Sequence, residues 1–210
     1  MLFVQSGTWR TIVGHVDCVA VFQQLDILAN PLPEELIGAF DVVHVRAFLS
    51  IIVNGNTAPL LSAARSLLKP GGWLQWEETS GEFLVEPSTP NVTKVSYETL
   101  AQILKQGGEA RGFEVEFVNE LDNHLGKHDF EDIHMQKFAK HKQDYKGWTE
   151  DYLMVWEELA TYLPAKADVP NAPVTKEIWA ELFKKAVAET EQGVALHHGF
   201  IMTVVGRKST

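Results

Sequence analysis

The amino-acid sequence predicts an α/β protein in which a partial, parallel-type sheet carries a helical cap. Three observations lead there. Short β-branched and apolar runs alternate with segments of helical period from residue 19 to residue 118. The helical segments between about residues 130 and 196 are too many for one crossover between neighbouring strands. A last apolar run, residues 199–206, returns the chain to strand near its carboxyl terminus.

Each element follows from its residues. Val19-Ala20-Val21-Phe22-Gln23-Gln24-Leu25 is β-branched and aromatic and reads as a strand. It runs through Asp26-Ile27-Leu28 into the proline loop Asn30-Pro31-Leu32-Pro33. Phe40-Asp41-Val42-Val43-His44-Val45-Arg46 is almost continuously apolar, the pattern of a buried parallel strand. Leu60, Leu61, Ala64, Leu67 and Leu68 have helical spacing, and Lys69-Pro70-Gly71-Gly72 stops that helix with a basic last turn and two kinds of breaker. Trp73-Leu74-Gln75-Trp76 is the next strand and ends at Glu77-Glu78. Residues 95–105 read as a helix closed by Gly107-Gly108, and residues 113–118 alternate apolar and acidic like a half-exposed strand. Residues 130–142 and 150–162 read as amphipathic helices. Residues 164–173 hold three prolines and form a loop, and residues 176–189 are a helix with Trp179, Leu182, Phe183 and Val187 on one side. The expected organisation is a core over residues 1–128, a helical cap insertion over 129–196, and the last core strand with its tail over 197–210.

Composition narrows the function. Hydrophobic residues make up 45% and charged residues 22% of the 210 residues, values of a folded globular chain. The formal net charge is -10, from 18 Lys+Arg against 28 Asp+Glu. That balance argues against nucleic acid and against an anionic membrane surface as partners. Cys18 is the single cysteine, so an intrachain disulfide is excluded. The sequence shows no basic leader with an apolar core and no apolar run of the roughly 18 to 20 residues that spans a bilayer, so a cytoplasmic protein is expected. His124 and His128 have a metal-like spacing, yet no third ligand stands near them, and no metal is expected. Trp148, Tyr152, Met154, Trp156 and Trp179 are candidates either for helix core or for an aromatic pocket that takes a planar substrate.

The run Phe40-Asp41-Val42-Val43-His44-Val45-Arg46, followed by a helix ending Leu67-Leu68-Lys69-Pro70-Gly71-Gly72 and by Trp73-Leu74-Gln75-Trp76-Glu77-Glu78, closely resembles class I S-adenosylmethionine (SAM)-dependent methyltransferases. The His-x-Arg ending and the Trp-rich text look most like fungal methyltransferases of secondary-metabolite clusters. Gly112-Phe113 and residues 199–208 look like the start of that family's sixth strand and its last strand, so the likeness covers roughly residues 19–208. It implies a partial Rossmann-like sheet. Against that family's pattern, residues 1–210 are expected to lack the first strand and the glycine loop, since they contain no Gly-x-Gly and residues 1–18 are too few for a strand–helix–strand unit. Residues 11–17 are then the candidate second strand, with Asp17 near the ribose position.

The resemblance implies SAM as cofactor and a small molecule as substrate. Asp26, with Ile27 beside it, takes the place of the adenine contact, and His44 and Arg46 line the crevice beyond the fourth strand. Period two puts His44 and Arg46 on one face of that strand. His44, Glu78 and His198 are the candidate catalytic groups. Glu77 or Glu78, at the end of the fifth strand, would orient a substrate amine or hydroxyl or act as a base. Two other outcomes are open: a methyltransferase-like binding or partner protein without methyl transfer, and a natural-product isomerase or cyclase that uses the cap pocket. A sheet without its first strand exposes edges, which a homo- or hetero-dimer would cover.

Overall fold

A computed structural model describes residues 3–5 and 25–210. The expected strands at 11–17 and 19–25, apart from Leu25, lie outside the described residues, as do Asp17 and Cys18. Among the described residues the strands are β1 (Phe3–Gln5), β2 (Phe40–Arg46), β3 (Leu68–Thr79), β4 (Phe83–Pro87), β5 (Phe130–Ala139), β6 (Val194–His198) and β7 (Phe200–Lys208). The α-helices are α1 (Ala58–Leu67), α2 (Val95–Glu109), α3 (Leu121–Gly126), α4 (Tyr145–Leu159) and α5 (Lys176–Glu191). The fold is therefore mixed α/β. None of these helices is long and apolar enough to cross a membrane.

The chain divides into two compact units. The first comprises the described residues up to Thr79 together with Phe113–Phe138 and Ile201–Thr210, and the second comprises Ser80–Gly112 and Ala139–Phe200.

The first unit is built on a five-stranded sheet of order β1-β2-β3-β7-β5. The β2–β3 pair is parallel, whereas β1–β2 and β3–β7 are antiparallel, so the sheet is mixed. Helix α1 makes the crossover between β2 and β3. Pro59 lies in its first turn, where a missing N–H costs nothing, and Leu60, Leu61, Ala64 and Leu67 turn to the core. The Lys-Pro-Gly-Gly segment stays in the sheet instead of forming a separate turn: β3 begins at Leu68 opposite Phe40, and a register shift follows between Phe40 and Val42. Gly72 makes this approach feasible, since a β-carbon there would stand 3.0 Å from the Asp41 carbonyl and 3.1 Å from that of Lys69. The Lys69 ammonium closes the corner on the Asp41 carboxylate at 2.8 Å. Val43, Val45, Leu60, Leu67, Leu74, Trp76, Leu121 and Val204 are all at most 1% exposed and form the centre of this core.

Two sequence expectations are corrected in this unit. Residues 113–118 are not a strand: Glu116–Glu120 is a 3-10 turn that leads into α3. Phe117, Val118, Leu121 and Leu125 are the buried residues, a helical spacing that continues past the short acidic alternation. Residues 130–142 are not a helix but strand β5 followed by a 3-10 turn at Lys142–Asp144. Asp132 has a φ of 51°, so the strand's alternation slips there. Phe130 and Ile133, three residues apart, thereby pack into the same core and imitate a helical period. Gly206 of β7 lets this segment close in, because a β-carbon there would meet Leu125 at 2.8 Å and Phe130 at 3.2 Å.

The second unit has its own core of Tyr97, Leu100, Trp156, Trp179, Ala186, Val194 and Leu196. Helices α2, α4 and α5 pack around an antiparallel pair, β4 with β6, in which Phe83 stands opposite His198 and Pro87 opposite Val194. Neither strand stands out in the sequence. They are five residues each, and their partners lie over a hundred residues apart. The buried Glu189 of α5 caps α2: its two carboxylate oxygens accept the Ser96 and Tyr97 amides at 3.0 and 3.1 Å. Thr149 of α4 accepts the Leu196 amide at 2.9 Å and ties the helix to β6.

Candidate functional site

The parallel pair brings the carboxyl ends of β2 and β3 together. In register, Val43 faces Leu74, His44 faces Gln75, Val45 faces Trp76 and Arg46 faces Glu77. Pleating then sorts the side chains. Val43, Val45, Leu74 and Trp76 go to the core. His44, Arg46, Gln75 and Glu77 share the other face.

On that face Glu77 is the hub. Its Oε1 accepts the Gln75 side-chain amide at 2.6 Å and lies 3.5 Å from His44 Nε2. Its Oε2 lies 3.9 Å from Arg46 Nε. The Arg46 side chain is 58% exposed, against 31% for His44 and 24% for Glu77, so the cluster is sheltered below and opens outward through the guanidinium. His44 Nε2 is itself shielded from solvent and has no hydrogen-bond partner within range among the described residues. Gln75 is not among the residues that the sequence singles out. The signal that finds it is the cross-strand register with His44, which exists only once the strands are paired.

Glu78 has the opposite orientation. It is 2% exposed, its Oε2 accepts the Phe48 amide at 2.8 Å, and its Oε1 accepts the Thr79 amide at 3.2 Å. Burial pushes its pKa above the ordinary carboxylate value, and the amide donors of Thr79 and Phe48 oppose that only in part.

Asp26 opens a turn. Its carboxylate Oδ1 accepts the Leu28 amide at 3.0 Å, its carbonyl accepts the Ala29 amide at 3.1 Å, and the side chain is exposed. Ile27 points the other way and belongs to the core. An open groove of about 820 Å³ starts at Ile27 and Leu28 and continues past Asn30, Ile37, Pro59 and Ser62. His44, Arg46 and Glu78 do not line it.

His198 belongs to the second unit. It is 5% exposed, its Nδ1 donates to the Glu82 carbonyl at 3.0 Å, and its ring lies 4.3 Å from Phe83 and 5.1 Å from Tyr152. Burial, aided by the nearby Lys140 cation, lowers its pKa to about 4, so the ring is neutral at pH 7. Of the candidate residues, then, the fold gathers His44 and Arg46 around Glu77. Glu78 lies on the core face of the same strand.

The remaining features of the sequence resolve locally. His124 Nδ1 pairs with the Thr57 hydroxyl at 2.9 Å beside the start of α1, and burial lowers its pKa. Among the described residues, no three or more His, Cys, Asp and Glu side chains converge as they would around a metal ion. Trp156 and Trp179 are core, with the Trp179 indole N–H donating to the Trp156 carbonyl at 3.0 Å. Trp148 and Tyr152 instead receive Lys140, whose ammonium sits 3.5 Å from the Trp148 ring centre and 3.3 Å from the Tyr152 hydroxyl. Met154 is 64% exposed.

Comparison with known proteins gives the site its context. No family model matches the chain. Over 101 residues it is 30% identical to methyltransferase grgD of Penicillium sp, a match that covers 46% of this chain and 34% of the relative. Over 64 residues it is 38% identical to methyltransferase psoC of Aspergillus fumigatus, covering 30% of this chain and 23% of that one. The matches thus span about a third and a quarter of these relatives' lengths. The resemblance to fungal methyltransferases is thus a finding of sequence similarity. Among solved structures, the chain superimposes loosely on phosphoethanolamine N-methyltransferase 2 of Haemonchus contortus, with 16% identity, a TM-score of 0.40, and coverage of 83% of this chain and 35% of that one. It superimposes equally loosely on the [4+2]-cyclase SpnF, with 17% identity, a TM-score of 0.44, and coverage of 90% and 57%.

Proposed function

We propose that this chain contributes the carboxyl-edge crevice of a SAM-dependent methyltransferase that acts on a small molecule in fungal secondary metabolism. The observation that carries the reading is the His44–Arg46–Gln75–Glu77 cluster. It stands at the carboxyl ends of a parallel strand pair, where α/β sheets bind ligands, in a chain similar to two fungal proteins named methyltransferase.

The residues suit the cofactor. Asp26 is an exposed carboxylate held in orientation by the Leu28 amide, an acceptor matched to the amino group of adenine. His44 Nε2 makes no hydrogen bond among the described residues and faces Glu77 Oε1 at 3.5 Å, so the imidazole borders the crevice beside that carboxylate. Arg46 offers a charged, outward-facing donor set beside it. SAM, when bound, supplies an electrophilic methyl group.

The chain's own part is binding, orientation and proton handling. Gln75 holds one oxygen of Glu77, with His44 3.5 Å from it, and the other, Oε2, faces Arg46. In this reading Oε2 orients a substrate hydroxyl or amine and accepts its proton. Most of the rate then comes from holding nucleophile and methyl donor in line.

Calorimetry with SAM tests the proposal on the 210-residue chain. Binding is expected, with Asp26→Ala and Arg46→Ala each weakening it by about tenfold, the loss of one good polar contact. Absence of heat at millimolar SAM rejects the reading for this chain.

A further inference from the structure

Glu78 and Glu77 are neighbours in sequence with opposite surroundings. The Glu78 carboxylate is buried, and the bond from the Phe48 amide to its Oε2, at 2.8 Å, joins residues thirty positions apart. It ties the carboxyl end of β3 to the loop that leaves β2. A second tie holds the same loop, since the Ala47 amide donates to the Glu77 carbonyl at 3.1 Å. Between these ties Ala47 has a φ of 57°, a left-handed conformation that a residue with a β-carbon adopts only when its surroundings impose it. Phe48, Leu49 and Ile51 then pack against the core, with Leu49–Ile51 forming a 3-10 turn. The constrained residue directly follows Arg46, the last residue of β2.

We propose that Glu78 is a positioning residue: its buried carboxylate latches the loop at 47–49 and so fixes where Arg46 and His44 meet Glu77. Both oxygens are engaged by main-chain donors and shielded from solvent, which suits an anchor and not a mobile base. The latch stands on the hydrogen bonds alone. Its consequence for ligand binding rests on the methyltransferase reading.

The test uses the whole 210-residue chain as wild type, Glu78→Gln, Glu78→Ala, and Glu78→Ala with Ala47→Gly. Amide hydrogen exchange followed by NMR reports the latch. Exchange at Phe48 is expected to quicken about threefold in Glu78→Gln, whose neutral oxygen is the weaker acceptor, and more than tenfold in Glu78→Ala. The amides of Val43 and Leu74 should hold their wild-type rates in both. SAM affinity is expected to drop about tenfold in Glu78→Ala and to recover substantially with the added Ala47→Gly, because glycine takes the left-handed conformation without a steric penalty. If Glu78→Ala does not fold, Glu78→Gln decides by the same Phe48 and Val43 rates. Unchanged Phe48 exchange overturns the latch. A wild type that binds SAM alongside a folded Glu78→Ala that binds it equally well overturns the positioning role. A wild type that binds no SAM rejects the methyltransferase reading and the positioning role with it, and leaves Phe48 exchange to decide the latch.

Discussion

At the scale of single residues, adjacent carboxylates divide the work by parity. Glu77 joins Gln75, His44 and Arg46 on the open face, whereas Glu78 turns inward onto the Phe48 amide. The sequence places both at the end of one strand. Which of the two faces the crevice depends on how β3 is registered against β2, and the shift between Phe40 and Val42 sets that. The two histidines put forward for catalysis also differ. His44 lies with Glu77, whereas His198 is enclosed by Phe83, Tyr152 and Lys140 with a pKa near 4. A histidine whose folded pKa lies below its ordinary value of 6.5 takes up its proton more readily when unfolded. Its stabilising contribution is therefore complete above pH 6.5 and is lost as the pH falls toward 4. The expected loss over that window is about 3 kcal/mol. Urea unfolding between pH 7 and pH 4 should show this decline, and His198→Asn should flatten it. An equal decline in the variant would assign the pH dependence to other groups.

At the scale of elements, helix α2 depends on a distant cap. Its amino terminus has no side-chain cap of its own, and the buried Glu189 from α5 supplies one to the Ser96 and Tyr97 amides. Two charge-assisted bonds at a helix amino terminus are worth about 2 kcal/mol after desolvation. Glu189→Ala is expected to lower the unfolding free energy of the second unit by that amount, measured by chemical denaturation, with Glu189→Gln in between. A change below about 0.5 kcal/mol would contradict the cap. Elements with strong local signals are read correctly from sequence: β2 has a nearly continuous apolar run, α1 has helical apolar spacing, and α5 has Trp179, Leu182 and Phe183 on one side. Strand β5 is misread because the positive φ of Asp132 breaks its alternation. The turn at Glu116–Glu120 is misread because its acidic spacing imitates a strand.

At the scale of the molecule, two cores share no residue. One centres on the Val43, Leu60, Leu74 and Trp76 group, and the other on Tyr97, Trp156 and Trp179. Leu61→Ala in the first and Leu100→Ala in the second, both at fully buried positions, should each cost about 3 kcal/mol. Their effects should add to within about 0.5 kcal/mol. Denaturant unfolding of the two single variants and the double variant checks this, and a larger coupling would show that the cores are not independent. The sequence by itself determined the charge of -10, the β2–α1–β3 unit and the resemblance carried on it, because runs of apolar residues, helical spacing and glycine breakers act over a few neighbouring positions. Only the tertiary structure decided that β4 pairs with β6, that β5 is a strand, that Gln75 and Glu77 join His44, and that Glu78 holds the loop after β2. Those outcomes rest on pairings between residues tens to more than a hundred positions apart, and on a one-residue register whose shift exchanges the two faces of a strand, neither of which leaves a local mark.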